Sequence, residues 1–502
     1  MVDRPLKARS IVDLLQKAGL LLDVRLTAPE HIFTSFSTDS RRLEPQSLFL
    51  AYSGVKFDAH AALSALQVSH PEAGVLIERA ESWPDCQNFP FACLVTDTRE
   101  AWALIASYRH DFPQDHLQLI GVTGTNGKTS TVWYIRQILE AQGLSCMTLG
   151  TLGVYLGKEK FPAQHTTPDP DDLFRYLALA RDRGCKWVAM EVSSHAVVQK
   201  RLGPLRFDAV AFTSFSRDHL DFHPTMEDYF AAKWYFITHF RKPSGIAWLS
   251  TALGDWKPAN AGALGCRSYG PMEVAHTPDD LSYTIEDMQL SHSDLILRKG
   301  NRSWKGRLPF GGDFAIDNFV AAWALVKSVT GLTLDPARWS QIEAVPGRFE
   351  PLKAAFAHGL AVVIDYAHTP DALEKTLAKL KDLTTGQLWV VFGCGGDRDK
   401  GKRPLMGRIA EQKADRIVLT SDNPRSENPL AIIQDIAGGL TQKEKAQIEV
   451  DRHKAIGLAL EGAQKGDTIL IAGKGHEDYQ IIGQQRLDFD DKKVATAWLE
   501  KA

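Results

Sequence analysis

No apolar run in this chain of 502 residues approaches the length of a bilayer-spanning helix, and the opening MVDRPLKARSIVDLL sets charges among its apolar residues every few positions. Neither a membrane span nor a secretory leader is expected. An excess of one charge is missing too: 58 Lys+Arg face 61 Asp+Glu, for a net charge of −3. Nothing therefore marks the surface as a nucleic-acid or membrane binder. The cysteines Cys86, Cys93, Cys146, Cys185, Cys266 and Cys394 form no C-x-x-C pair. Without such pairs neither a zinc site nor a disulfide framework is indicated, and the thiols are expected to be reduced and half-buried. Internal repeats and low-complexity tracts are also absent. What remains is a cytoplasmic enzyme acting on small molecules, expected as a monomer and too long for one hydrophobic core.

Apolar runs divide the chain into three α/β domains, with boundaries at 1–98, 99–344 and 345–502. The first mixes an early amphipathic helix with the runs SLFLAYSG, AGVLIERA and ACLVTD. The second repeats strand, loop and helix through LQLIGVTG, CKWVAMEV and DAVAFTSF, with a helix over Tyr229 to Phe240. The third does so again through LAVVIDYA, LWVVFGCG, ADRIVLTS and DTILIAGKG. That alternation predicts parallel sheets wrapped by helices, with ligands at the carboxyl ends of the strands.

The most telling segment is GVTGTNGKTSTVWYI, in which an apolar run enters a glycine-rich turn that opens a helix. Gly124 and Gly127 allow close backbone approach, and the amides of Thr125, Asn126 and Ser130 face an anion at the helix start. Lys128, taken as an exposed loop lysine, adds a point charge, and the Thr129 hydroxyl suits Mg²⁺. The strict P-loop spacing is not met, because Val122 stands where the first glycine belongs. Behind such a phosphate loop, Glu191 at the end of CKWVAMEV is placed to hold a metal, although an acid opening EVSSH also suits a helix cap. Asp218, His219, Asp221 and His223 crowd the turn SRDHLDFH ahead of a helix carrying Lys233. A hard ion shared with phosphates fits these groups better than zinc. Lys233 by itself reads as a snorkelling lysine on an aromatic-rich helix.

The motifs DSRRLEPQSLFLAYSG, GTNGKTS, HTTPDP, EVSSHAVVQKR, SRDHLDFH, AAKW, PGRFE, DYAHTPDAL, GCGGDRDKGKRPLMG, SDNPRSENP and AGKGHEDYQ follow one another along the chain. In that order they resemble the Mur ligases of bacterial cell-wall synthesis. The resemblance implies an ATP-dependent, Mg²⁺-requiring amide-bond ligase that works through an acyl phosphate. Within the family it points to the branch that adds a third peptide residue to UDP-N-acetylmuramoyl-L-alanyl-D-glutamate. It also implies that CO₂ carbamylates Lys233 to N6-carboxylysine, which ligates metal with Glu191 and His219. A lysine whose ammonium form is disfavoured can supply the neutral amine this needs. By the same match, Thr38, Ser40 and the Val55 to Phe57 loop lie near the uridine nucleotide. His165, Thr166, Thr167, Ser193, Gln199 and Arg201 lie near the muramoyl-dipeptide.

In the last domain the resemblance assigns the incoming amino acid to Arg398, Asp422, Asn423, Pro424, Arg425, Gly473 and Glu477. A far-end carboxylate calls for Arg425 and a far-end ammonium for Glu477, so meso-diaminopimelate is favoured over L-lysine. Asn318 and Arg348 are expected near ATP, with Asp365, Tyr366 and His368 in neighbouring motifs. Two positions depart from the family pattern: Ala315 and His165 each stand where an asparagine is common. A folylpolyglutamate synthetase-like ligase is the alternative within enzymes, and a P-loop switch or motor fits the first motif alone.

Overall fold

Short apolar runs become the strands of parallel sheets through most of the protein. The computed structural model describes residues 4–54, 57–163, 165–274 and 277–501, so Val55 and Lys56 of the expected uridine loop lie outside the described residues. The chain forms two compact units, Met1–Tyr269 with Ala321–Thr333 and Gly270–Val320 with Leu334–Ala502.

The first unit opens with the expected amphipathic helix, α1 (Ala8–Lys17), which buries Ala8, Ile11, Val12 and Leu15 at helical spacing. A five-stranded sheet follows, built from β1 (Leu21–Leu26), β2 (Ser35–Ser37), β3 (Ser47–Ala51), β4 (Gly74–Ile77) and β5 (Phe91–Val95). Its order is β1-β5-β4-β3-β2, with β1 the antiparallel edge. Every residue of β3, β4 and β5 is buried, as sheets covered on both faces require.

The same unit holds β6 (Gln118–Thr123), β7 (Cys146–Gly150), β8 (Trp187–Glu191), β9 (Phe207–Phe212), β10 (Arg241–Ser250) and β11 (Cys266–Pro271). They lie in the order β7-β8-β6-β9-β10-β11, all parallel, and the hairpin Gly153–Leu156 and Glu159–Phe161 extends the β7 edge. Because β6 sits between β8 and β9, in register Val122 to Glu191 and Thr123 to Phe212, the loops leaving all three strands emerge side by side. That is where a parallel sheet binds its ligands.

The second unit contains an antiparallel meander that sequence reasoning had not anticipated, β12 (Leu281–Gln289), β13 (His292–Lys299) and β14 (Arg302–Leu308). A further sheet comprises β15 (Glu350–Pro351), β16 (Ala361–Asp365), β17 (Leu388–Phe392), β18 (Arg416–Leu419), β19 (Ala446–Ile448) and β20 (Thr468–Ala472). Its order is β15-β16-β20-β17-β18-β19, parallel except for β15. Apolar clusters cover both of its faces, one around Val363, Val390 and Leu470 and one around Ile364, Val391 and Ile469. The expectation for the thiols is corrected: five of the six cysteines are buried and Cys266 alone is half-buried. Cys93 and Cys146 lie in strands covered on both faces, and Cys86, Cys185 and Cys394 pack into the apolar clusters around the sheets.

Candidate active site

The glycine turn leaves the carboxyl end of β6 and opens α2 (Lys128–Glu140), as a phosphate cradle would require. Gly124 and Gly127 have φ of 151° and 88°, values that side chains rarely adopt. The loop is pinned from the β9 side. Thr125 N donates to Ser214 O at 2.8 Å, Asn126 N to Ser214 Oγ at 2.9 Å, and Thr213 Oγ1 to Asn126 O at 2.5 Å, so the Thr125 and Asn126 amides are engaged by Ser214 and do not face an anion as expected. Lys128, Thr129 and Ser130 form the first helical turn, which carries no acidic residue. Lys128 is half-buried there, not an exposed loop residue, because its Nζ donates to the carbonyls of Gly124 and Thr125 at 2.8 and 2.9 Å.

Glu191 closes β8 with its side chain 1% exposed. Its carboxylate accepts from Thr129 Oγ1 at 2.9 Å, Thr151 N at 2.7 Å and Thr151 Oγ1 at 3.3 Å. This carboxylate is therefore no helix cap; the cap of α3 (Ser194–Val198) is Ser193.

Lys233 owes its place to helical periodicity. In α4 (Met226–His239) the buried residues are Tyr229, Ala232, Lys233, Phe236 and Ile237, an i, i+3, i+4, i+7, i+8 stripe with the lysine at its centre. Thr225 caps the helix by accepting from Asp228 N at 3.1 Å. The snorkelling alternative fails, since Lys233 is 1% exposed, its Nζ donates to Gly124 O at 2.8 Å, and it lies 4.5 Å from the Tyr229 ring centroid. Burial, and then the Lys128 charge, holds its amine well below the ordinary lysine range.

His219 adopts a left-handed φ of 52°. Its ring lies edge-on to His195 at 4.8 Å, and His195 stacks on Phe222 at 4.1 Å. Burial foremost lowers the affinity of all three loop imidazoles for protons, with His195 pushed down to about 4 and His219 and His223 shifted the same way. His223 is buried against Ser194 Oγ at 2.9 Å.

The expected dipeptide residues gather beside Glu191. Thr167 Oγ1 donates to Glu191 O at 2.9 Å and accepts from Ser193 N at 3.1 Å, and Thr166 Oγ1 lies 3.1 Å from Thr151 Oγ1. Arg201 donates to Thr167 O at 2.8 Å and to Gln199 Oε1 at 2.8 and 3.1 Å, and it pairs with Asp169 at 3.1 Å. Asp169 in turn lies 3.6 Å from His165 Nε2. Thr38, exposed, and Ser40, half-buried, follow β2 in the five-stranded sheet and are not part of this group.

In the second unit, Asp422, Asn423 and Pro424 are buried beyond β18. Asn423 Nδ2 donates to Glu477 Oε2 at 2.8 Å, and a Cβ at Gly473 would meet Asp422 Oδ2 at 2.5 Å. Arg425, at φ 51°, donates from Nη1 to Gly396 O at 2.7 Å, and Arg398 is exposed on the neighbouring loop. Burial raises the Glu477 carboxyl above its usual range, against the opposing pull of Lys474. Arg348 stacks over Tyr366 at 4.5 Å, Asp365 accepts from Phe349 N and Ala367 N at 2.7 and 2.8 Å, and Tyr366 lies 4.4 Å from His368. Asn318 is buried on the helix Asp313–Thr330, as is Ala315.

Residues 122–326 match the Mur ligase middle domain and 347–475 the glutamate ligase domain of Mur ligases. The UDP-N-acetylmuramoyl-L-alanyl-D-glutamate--2,6-diaminopimelate ligase of Syntrophomonas wolfei is 39% identical over 467 residues, covering 92% of this chain and 93% of its own. The chain belongs to the Mur ligase family. A solved structure of a ligase with that same description aligns over 99% of both chains with a TM-score of 0.67 and 29% identity. A folylpolyglutamate synthase from Mycobacterium tuberculosis, at 17% identity and a TM-score of 0.58 over 79% of this chain and 94% of its own, shares the fold alone.

In this Mur ligase three features escaped the sequence reading. Thr151, which holds Glu191 by two hydrogen bonds, sits in an unremarked GTLG turn. Lys474 is fully buried beside Asn423 and Glu477. Asp287, His292 and Asp294 on the meander stand close enough to share a cation, although Arg307 already pairs with Asp294. No helix among the described residues is long and apolar enough to cross a membrane.

Proposed function

We propose that this Mur ligase joins meso-2,6-diaminopimelate to the D-glutamate γ-carboxylate of UDP-N-acetylmuramoyl-L-alanyl-D-glutamate, converting ATP to ADP and phosphate. The observation that carries the reading is the buried Glu191 carboxylate accepting from Thr129 at 2.9 Å, directly behind the glycine cradle. The relatives' description supplies the substrates. Residues 1–98 would hold the uridine nucleotide near Thr38 and Ser40, 99–344 ATP, and 345–502 the amino acid, in a cytoplasmic monomer.

A γ-carboxylate oxygen of the dipeptide attacks the γ-phosphorus as the bond to ADP breaks, giving an acyl phosphate. The diaminopimelate amine then attacks the acyl carbon, phosphate leaves, and the amine proton passes to solvent. Lys128 and the N-terminus of α2 offset the charge that gathers between the two anions. Arg201, braced by Gln199 and Asp169, and the hydroxyls of Thr166, Thr167 and Ser193 are positioned to orient the dipeptide.

Oxygen donors at Thr129 and Glu191 fit a hard cation. With His219 and a carboxylated Lys233 they would hold Mg²⁺, whose charge offsets that of the phosphates. The buried Lys233 amine, held well below the ordinary lysine range, supports carboxylation, in which its nitrogen adds to CO₂ and loses a proton.

The test is ADP release by the purified protein, which should require the UDP-muramoyl-dipeptide and diaminopimelate together. Release with lysine in preference to diaminopimelate would move the assignment to the lysine-adding reaction. Release driven by a folate substrate would replace it with the folylpolyglutamate reaction. ATP hydrolysis indifferent to every acceptor would favour a switch or motor.

A further inference from the structure

Lys474 is completely buried, a position lysine rarely takes without partners. It lies just past the end of β20, where its Nζ is 3.3 Å from Asn423 Oδ1, 3.4 Å from Glu477 Oε2 and 4.0 Å from Asp422 Oδ1. Asn423 closes the ring. Its Nδ2 donates to the same Glu477 oxygen at 2.8 Å, while its Oδ1 also accepts from Ile481 N at 2.9 Å. Gln480 Nε2 donates to Asp422 O at 2.6 Å and so fixes the other end of the loop. Arg452 and Asp491 nearby, both buried, pair with each other at 2.7 Å, and Arg452 is further engaged by Ala472 O at 2.9 Å. The ammonium within ion-pair reach of both Asp422 and Glu477 is that of Lys474.

A buried and a half-buried carboxylate, Asp422 and Glu477, would without a cation attract any ligand ammonium strongly. With Lys474 between them they carry one net negative charge, which the charge of Arg425, two residues past Asn423 on the same loop, offsets in the local sum. A diaminopimelate far end, one ammonium and one carboxylate, also sums to zero, whereas the far end of lysine is a lone ammonium. We propose that Lys474 sets the choice of amino acid, neutralising one of the Asp422 and Glu477 carboxylates and fixing the Asn423 amide so that the site accepts a zwitterionic far end over a lone cation. Lys474 acts through Asn423 and Glu477, which makes it a positioning residue. This inference rests on the amino-acid site named under the proposed function.

The experiment measures kcat/KM for meso-diaminopimelate and L-lysine with full-length wild type, Lys474→Met and Lys474→Arg, at saturating ATP and UDP-muramoyl-dipeptide, with thermal unfolding alongside. Lys474→Met should narrow the preference for diaminopimelate by roughly tenfold or more, through loss of diaminopimelate use with lysine use held or raised. Lys474→Arg, which keeps the charge, should restore the preference. An equal fall for both amino acids, or an unchanged ratio in Lys474→Met, overturns the proposal. If Lys474→Met does not fold, Lys474→Gln carries the test, because it keeps a hydrogen bond toward Asn423 while removing the charge; an unchanged ratio of diaminopimelate to lysine use overturns the proposal. Wild-type turnover with diaminopimelate reads the proposed function separately from either variant.

Discussion

Gly150→Ala should cripple the enzyme without touching any residue that meets a substrate. Gly150 ends β7 against the side chain of Glu191, where an added Cβ would lie 2.8 Å from Cδ and 2.9 Å from Cγ and overlap Oε1. The carboxylate must retreat by about 1 Å to reach ordinary contact. It has little freedom to do so, being 1% exposed and held by Thr129 and by Thr151 through both backbone and hydroxyl. Overpacking of this kind costs about 1–3 kcal/mol of stability. The loss in catalysis should be larger, since a group displaced by about 1 Å from its working position can cost about a hundredfold in rate. The assay is ADP release at saturating substrates with thermal unfolding in parallel. Gly262→Ala, where nothing lies within 4 Å of the new Cβ, is the control and should behave as wild type. Turnover of Gly150→Ala within about threefold of wild type would refute the claim that the position of Glu191 governs the reaction.

Lys233→Ala should nearly abolish ligation, and small carboxylic acids should partly restore it by filling the vacated ligand position; mass spectrometry of the native protein lacking any carboxylated Lys233 would count against the modification. Arg425→Ala should lower kcat/KM for diaminopimelate by an amount equivalent to about 2–5 kcal/mol while changing lysine use far less, and an equal fall for both would make Arg425 a structural residue. The Arg403 guanidinium, 2.9 and 3.0 Å from the Glu427 oxygens, is the leading cause that lowers that carboxyl from its ordinary 4.5 to about 2. A carboxyl depressed on folding stabilises above its unfolded value and ceases to as pH falls toward its folded one. Denaturation midpoints of wild type and Glu427→Gln should therefore differ at neutral pH and converge as pH drops from about 4.5 to about 2; a gap independent of pH would contradict the pairing.

Much of the fold was legible because doubly covered parallel strands leave continuous apolar runs. CKWVAMEV became Trp187–Glu191 and DTILIAGKG became Thr468–Ala472. The meander Leu281–Leu308 was not legible, since strands such as HSDLILRK alternate half-buried and buried residues and carry polar groups throughout. The thiols were misjudged for the converse reason: Cys93 and Cys146 sit in strands with no exposed position.

The site divides along the same line. Residues whose role follows from their own loop, Gly124, Lys128 and Thr129, could be named from GTNGKTS. Those whose role depends on a distant partner could not be named from their own segment: Glu191 was read from the phosphate loop ahead of it, Lys233 from the family resemblance, and Thr151 and Lys474 were missed. Lys233 Nζ meets a carbonyl 109 residues away, Glu191 meets Thr129 across 62 and Thr151 across 40, and Lys474 meets Asn423 across 51. In a parallel sheet each crossover returns the chain so that successive strands end at the same edge. Loops far apart in sequence are thereby delivered to one another at their tips, and the polar groups they bury must find partners there, because an unpaired one costs more than the bond it would make. The same topology that hides these partners from the sequence thus determines where they meet, and it explains why two of the residues missed by the sequence reading, Thr151 and Lys474, are those that hold the carboxylates of Glu191 and Glu477, both assigned to the site under the proposed function.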